Sequence, residues 1–189
     1  MQTKDAISVL KNFLNLEAVS AILMHLNKLE FEEACVLNSK GHSIKDKKIR
    51  SVDNQLFTNE SPSMTNVHWA NFFEWSFIKA IEEYNKKFDN KSFPIIETIT
   101  ALKYKEGDFY KIHTDSCAGA HRTYSLIYLL NNDYEGGSLV FRDPVTKNKI
   151  LEVDKEPNQL ILWPSNFLYP HEVTKVTKGV RYSVVSWAR

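Results

Sequence analysis

The sequence predicts an α+β, mainly β fold: a jelly roll of the cupin-like kind with N-terminal helices packed on one of its sheets. Two observations predict it. Before Pro94, two stretches place apolar residues three and four apart, the period of a buried helix face. After Pro94 the period changes to short runs rich in β-branched and aromatic residues, divided by Gly, Pro, Asn and Asp. Helices followed by a series of strands suit helices laid on one side of an antiparallel double sheet, whose mouth can hold a small ligand. At 189 residues the chain is expected to form one domain, with 1–93 as helical support and loop region and 94–189 as the jelly-roll core.

The elements follow in order. Ile7 to Phe13 reads as a short strand. Asn15 is a helix N-cap, and Leu16, Val19, Ile22, Leu23 and Leu26 give an amphipathic helix over 15–28 that leaves His25 on the surface. Residues 38–66 are a long polar loop, a common form for lids and binding loops, with a strand near 48–58. Its cluster of Lys45, Lys47, Lys48 and Arg50 is diluted by Asp46 and Asp53 and is expected to be a solvated face. A second helix follows Asn66, with Ala70, Phe73, Phe77, Ile81, Tyr84 and Phe88 as its core stripe and Phe72, Trp75 and Ile78 widening it. The strands expected after it are 95–104, 109–115, 122–130, 138–141, 149–153, 159–163 and 180–187.

Composition excludes some classes. The formal net charge of +1 gives no global electrostatic case for nucleic acid or a membrane surface as partner. No apolar run approaches bilayer length. Cys35 and Cys117 make no disulfide framework, and Lys4, Asp5 and Lys11 interrupt any signal-peptide core, so a cytoplasmic location with reduced thiols is expected. His42 and His68 are expected to be solvated; His121 precedes a strand near the site, with Cys117 close by as an ordinary thiol.

The chemistry centres on His113-Thr114-Asp115. A histidine and an aspartate two apart on a strand point the same way. With His171, in Tyr169-Pro170-His171-Glu172-Val173, they make two imidazoles and one carboxylate, the facial set of non-heme Fe(II) sites. His-x-Asp alone is weak, because a histidine next to a carboxylate is often merely satisfied by it. Arg181 adds weight. On the last strand Arg181, Ser183, Val185 and Trp187 share a face, and an inward arginine needs an anion, since an unpaired buried charge is costly. Its planar fork matches a carboxylate, with the Ser183 hydroxyl beside it. A dicarboxylate that chelates the metal at one end would meet Arg181 and Ser183 at the other. The duller alternative is an arginine at a strand end, solvated or paired with Glu172 or another surface acid.

Taken together, these segments make the sequence resemble the Fe(II)/2-oxoglutarate-dependent oxygenases, and within them the prolyl 4-hydroxylase-like branch. The resemblance rests on Tyr104 to Asp115, on Arg122 to Phe141 with its Gly136-Gly137 turn, on Leu160 to Val173, and on Gly179-Val180-Arg181-Tyr182-Ser183; four of the six glycines lie inside these pieces. It implies a double-stranded β-helix with iron on His113, Asp115 and His171, the distal carboxylate of 2-oxoglutarate on Arg181, and Tyr104 hydrogen-bonded to the co-substrate. Tyr128 is a further candidate for the co-substrate pocket, with a register open by one residue, and a slip of one would turn it to the other face. Trp163 packs as core under the site. Ile49-Arg50-Ser51 is similar to the substrate-loop segment of prolyl hydroxylases.

The resemblance further implies Fe(2+), 2-oxoglutarate and O2 as cofactor and co-substrates, with ascorbate as the usual supporting reductant. The expected reaction is hydroxylation of an unactivated C–H bond with release of succinate and CO2. The expected substrate is a prolyl residue in a peptide or protein, with a free amino acid or small metabolite as alternative, because specificity would lie in loops such as 38–66 and 116–121. Asp115 favours hydroxylation over halogenation, since related halogenases lack this carboxylate. Demethylation of nucleic acid is disfavoured: relatives of that type carry a second arginine closely after the first, and here the next one is Arg189. A non-catalytic jelly-roll binding module, or a cupin using another metal, would leave the ligand set or Arg181 and Ser183 without a role.

Overall fold

The structure is a computed structural model and describes residues 3–37, 42–116 and 121–189. In chain order, β1 (Ser8–Lys11) leads to α1 (Leu16–Leu26), then come β2 (Glu32–Glu33), β3 (Val36–Leu37), β4 (Ser43–Ile44), β5 (Arg50–Ser51) and β6 (Asp53–Phe57). The long helix α2 (Met64–Lys87) precedes β7 (Ile96–Tyr104), β8 (Phe109–His113), β9 (Tyr124–Leu129), β10 (Glu135–Gly136), β11 (Leu139–Arg142) and β12 (Lys149–Glu152). The chain ends with β13 (Gln159–Pro164), β14 (His171–Val173), β15 (Val176–Lys178) and β16 (Arg181–Ala188).

Two sheets organise these strands. The larger has the order β1-β13-β9-β16-β7-β6-β2, and the smaller β12-β11-β14-β8-β5. All their pairings are antiparallel. The helices lie on the outer face of the larger sheet, where Ile22 and Leu26 of α1 and Phe73, Phe77 and Ile81 of α2 are fully buried with Leu126, Tyr128, Leu160 and Val184. A second apolar core fills the space between the sheets, with Leu102, Ile127, Ile161 and Val185 from the larger and Leu139, Phe141 and Val173 from the smaller. This is a double-stranded β-helix.

Local chemistry explains the helix ends. The Asn15 side chain accepts from the Ala18 N–H and starts α1, and Ser63 does the same for α2 through Asn66. Lys86 and Lys87 in the last turn of α2 suit the negative end of its dipole.

Four expectations need correction. The stretch 38–66 is more structured than a loop: residues 38–41 lie outside the described residues, but a strand expected near 48–58 exists and divides between the two sheets, β5 joining the smaller and β6 the larger. The strand of 109–115 stops at His113. Leu16 and Trp75, placed on core stripes by spacing, are 75% and 64% exposed, because each lies on a flank that no neighbouring element covers. His25 is half-buried rather than free on the surface; its Nε2 lies 2.8 Å from Asn66 Oδ1 and ties α1 to α2.

Candidate metal centre

His113, Asp115 and His171 converge, each offering one ligand atom, and these atoms all lie within 4.8 Å of one another. Strand geometry explains the histidines: His113 at the end of β8 faces His171 at the start of β14 as a cross-strand pair, with ring centroids 4.3 Å apart. It does not explain Asp115, which stands beyond the end of β8, so the alternation of a strand cannot be what aims it. Side chains from β9 and its approach hold it instead. Ser125 Oγ donates to Asp115 Oδ2 at 2.6 Å, and Arg122 Nη1 donates to the Asp115 carbonyl at 3.3 Å. Ser125 has one proton and gives it to the carboxylate, so the Ser165 hydroxyl 2.6 Å away must donate to Ser125.

The protonation pattern calls for a cation. His113 Nδ1 donates to the Lys111 carbonyl at 2.8 Å and His171 Nδ1 to the Tyr169 carbonyl at 3.0 Å, since a carbonyl can only accept. In the neutral rings that leaves both Nε2 atoms as bare acceptors, 3.6 and 3.5 Å from the two Asp115 oxygens. Burial pushes His171 down to about 4, so it is neutral at ordinary pH. Burial works the other way on Asp115, but His171, His113 and the Ser125 hydroxyl outweigh it and hold the carboxyl well below the usual range. With both rings neutral, three lone-pair donors point at one another. A divalent metal fits this donor set, and imidazole with carboxylate suits Fe(II).

Behind Tyr104, which lines the cavity, stands Arg181, 1% exposed. It is opposite Tyr104 in the β16–β7 register, and its guanidinium lies 4.9 Å from the Tyr104 ring centroid. Nη1 donates to Ser183 Oγ at 2.9 Å, while Nε and Nη2 are buried without a partner among the described residues. Leaving a buried charged donor unpaired costs more than about 1–3 kcal/mol, so the fork is built for an acceptor. Glu172, the alternative partner, is engaged elsewhere by Arg142. Burial raises the Tyr104 phenol above its ordinary value, with Arg181 opposing, so it remains a proton donor. Room for Arg181 comes from Gly137: at φ +61° it takes a left-handed conformation, and a Cβ there would sit 3.1 Å from Arg181 Cδ and 3.0 Å from Val176.

Tyr128 is a correction. It is buried on the helix-facing side of β9 against Phe13 and Phe73, and its hydroxyl donates to Asn158 Oδ1 at 2.9 Å. The side facing the cavity carries Ser125, Ile127 and Leu129, so the one-residue register decides against it. Trp163 is core as expected, 1% exposed and edge-on to His171 at 4.9 Å, but its Nε1 is a buried donor without a partner. Cys117 lies outside the described residues, and His121 is exposed.

Several cavity residues escape sequence reasoning. About 350 Å³ of empty space, part of it open to solvent, is lined by the three ligand residues with Arg50, Leu102, Tyr104, Tyr110, Trp163, Val185 and Trp187 among others. Tyr110, three residues before His113, should face away from it on a regular strand. A β-bulge sets Tyr110 opposite Val173 and His113 opposite His171, three steps on β8 against two on β14, so both rings turn inward and stack at 3.6 Å. Trp187 shares the face of Arg181, which spacing did foretell. Arg122, 3.9 Å over the Trp187 ring and bonded to Glu97 at 2.8 Å, gave no signal at all.

A family model described as the 2OG-Fe(II) oxygenase superfamily matches residues 99–189, the segment that carries all of these ligand and fork residues. Through that segment, just under half of the chain, the sequence is similar to the 2OG-Fe(II) oxygenase superfamily. Proteins of that superfamily use Fe(2+), 2-oxoglutarate and O2. The chain is 30% identical over 92 residues to prolyl 3-hydroxylase 1 of Gallus gallus, covering 41% of this chain and 13% of that one. It is 31% identical over 122 residues to a PKHD-type hydroxylase of Synechococcus sp., covering 59% of this chain and 52% of the relative. The chain thus spans about half or less of the length of these relatives. In fold it is similar to a Trichoplax adhaerens prolyl hydroxylase in complex with a hypoxia inducible factor peptide (TM-score 0.72, 17% identity, 97% of this chain and 83% of that one). It is also similar to a Pseudomonas putida prolyl-4-hydroxylase (TM-score 0.70, 19% identity, 97% and 92%).

Proposed function

We propose that this protein is an Fe(II)- and 2-oxoglutarate-dependent oxygenase that hydroxylates a prolyl residue in a peptide or protein, consuming 2-oxoglutarate and O2 and releasing succinate and CO2. The observation that carries the reading is a three-acceptor cluster lining a cavity, together with an unpartnered, buried arginine fork packed on Tyr104 of that cavity's wall. A dicarboxylic 2-oxo acid satisfies both ends. In this reading His113, Asp115 and His171 hold Fe(II), which supplies oxygen activation when bound.

The chain's own residues do the rest. Arg181 takes the distal carboxylate on its Nε and Nη2, with Ser183 fixing the guanidinium and Tyr104 donating from its phenol. Leu102, Ile127, Trp163, Val173 and Val185 wall the space between and exclude water. At the mouth, Tyr110 and Trp187 offer two aromatic surfaces, and a pyrrolidine ring is flat and apolar enough to lie between them. The prolyl hydroxylases among its relatives and structural neighbours support that choice of substrate.

The test is mass spectrometry of proline-containing peptides incubated with the protein, Fe(II), 2-oxoglutarate and ascorbate. A gain of one oxygen on proline, matched by succinate, is the expected result. Succinate formation with no proline-containing peptide ever gaining oxygen would overturn the substrate and leave the co-substrate chemistry standing.

A further inference from the structure

Besides that of Arg181, three guanidinium groups lie on or next to the strands that carry the site, and their partners differ. Arg142 is neutralised by Glu172, and Arg122 by Glu97. Arg50 lines the cavity and has no carboxylate within ion-pair distance among the described residues. Its Nη1 donates to the Cys35 carbonyl at 3.0 Å, and its Nε is buried without an acceptor among the described residues. The parallel with Arg181 is close. In each, Nη1 is held by a protein oxygen, the flat group lies over a tyrosine ring at 4.7 or 4.9 Å, and the edge carrying Nε is left unmet. That edge is one of the two that grip a carboxylate with two parallel hydrogen bonds.

The two forks differ in place. Arg181 lies deep, on the last strand. Arg50 is half-buried on β5, opposite Tyr110 in the β5–β8 register, and Tyr110 in turn lies flat on His113. A group on the Arg50 edge is therefore two ring layers from a metal-ligand candidate. With the 2-oxo acid assigned to Arg181, the remaining cation needs its anion from the molecule that enters last.

We propose that Arg50 is a second carboxylate fork, and that the primary substrate carries a carboxylate next to the residue that reacts. This rests on the prolyl-substrate reading and narrows it. The carboxylate has two sources: the α-carboxylate of a terminal or free residue, or the side chain of an acidic neighbour.

The test reads Arg50 directly. In the full chain with Zn(II) and saturating 2-oxoglutarate, the Arg50 Nε–H resonance, assigned by its loss in Arg50→Lys, is followed during titration with two acid–amide pairs. N-acetylproline against N-acetylprolinamide probes the α-carboxylate; acetyl-Glu-Pro-amide against acetyl-Gln-Pro-amide probes the neighbour. The expected result is a saturable shift with the acid of one pair at an affinity about tenfold or more above its amide. No shift with either acid, or equal shifts with acid and amide, overturns the proposal; if the lysine variant fails to fold, calorimetric titration of the wild-type protein with the same pairs decides it, equal affinity for acid and amide in both pairs overturning it. Oxygen gain is scored separately: an acid-specific shift without hydroxylated proline would sink the prolyl reading and keep the fork, whereas hydroxylation of acid and amide alike without a shift would do the reverse.

Discussion

The larger sheet has two buried faces made by the same strands, and they are finished differently. On the helix-facing side every buried polar side chain has found a partner: Tyr84 donates to the Ala6 carbonyl, Tyr128 to Asn158, Tyr124 sits in a network with Asn85, Asn90 and Ser92, and Ser76 bonds the Phe72 carbonyl. On the cavity side, among the described residues, buried atoms without partners accumulate, Arg181 Nε and Nη2 and Trp163 Nε1 on this sheet and Arg50 Nε on the smaller sheet opposite, and three acceptors face one another at the metal centre. Buried polar groups are ordinarily paired, so such a one-sided deficit marks the face finished by a ligand rather than by the chain. One face is complete and holds the fold; the other is completed on binding.

The sharpest way to break this contrast is at the three acceptors. His113→Ala, Asp115→Ala and His171→Ala should each lower metal affinity by more than the roughly 100-fold expected for outer partners of metal ligands, read as Co(II) or Mn(II) binding. Retained binding would remove that residue from the ligand set. Arg181→Leu comes next. Losing one partner of a buried charge pair costs about 2–5 kcal/mol, so the 2-oxoglutarate KM should rise about 30-fold or more. The ligand-free protein should melt no lower than wild type, because an unpaired buried cation has been removed. A lowered melting point would mean that Arg181 is already satisfied in the free protein.

Acid should attack the unfinished face first. His171 is pushed down to about 4 from 6.5 by burial, so below pH 6.5 the unfolded chain takes up a proton that the folded one refuses. Stability is full above about 6.5 and falls by up to about 3 kcal/mol as pH drops to 4. Asp115, held below its usual value, withdraws its own contribution only at more acid pH still. On the other face Tyr84 and Tyr128 are raised by burial, so their contribution is present below pH 10 and lost above it. Melting curves of the metal-free protein across this range test the order; a flat profile from 6.5 to 4 would place His171 in water.

What the sequence made legible follows the same division. Both helices, the cap of α1 and most strands were readable because period and end signals are local: Asn15 caps α1 as its position required, whereas α2, expected after Asn66, starts at Met64 behind Ser63. His113, His171, Arg181 and Ser183 were readable because regular strands fix their faces. The failures sit where regularity breaks. Asp115 lies past a strand end, Tyr110 is turned in by a bulge, and Arg50 reaches the cavity from a two-residue strand inside a polar stretch. No period passes through such points, and only tertiary contacts define them. Tyr128 failed for a different reason, since one residue of register separates the two faces.

That residue also supplies the mildest prediction. Tyr128→Phe removes one hydroxyl from the finished face, and Asn158 Oδ1 keeps its second donor, the Leu14 N–H at 2.9 Å. The cost should be about 1 kcal/mol, a fall in melting temperature of about 2–4 °C for a chain of this size. The 2-oxoglutarate KM should not move, because the ring remains against Phe13 and Phe73 and the cavity side of β9 is untouched. A KM raised several-fold at unchanged stability would put the Tyr128 hydroxyl in the cavity and erase the distinction between the faces; a melting shift with constant KM upholds it.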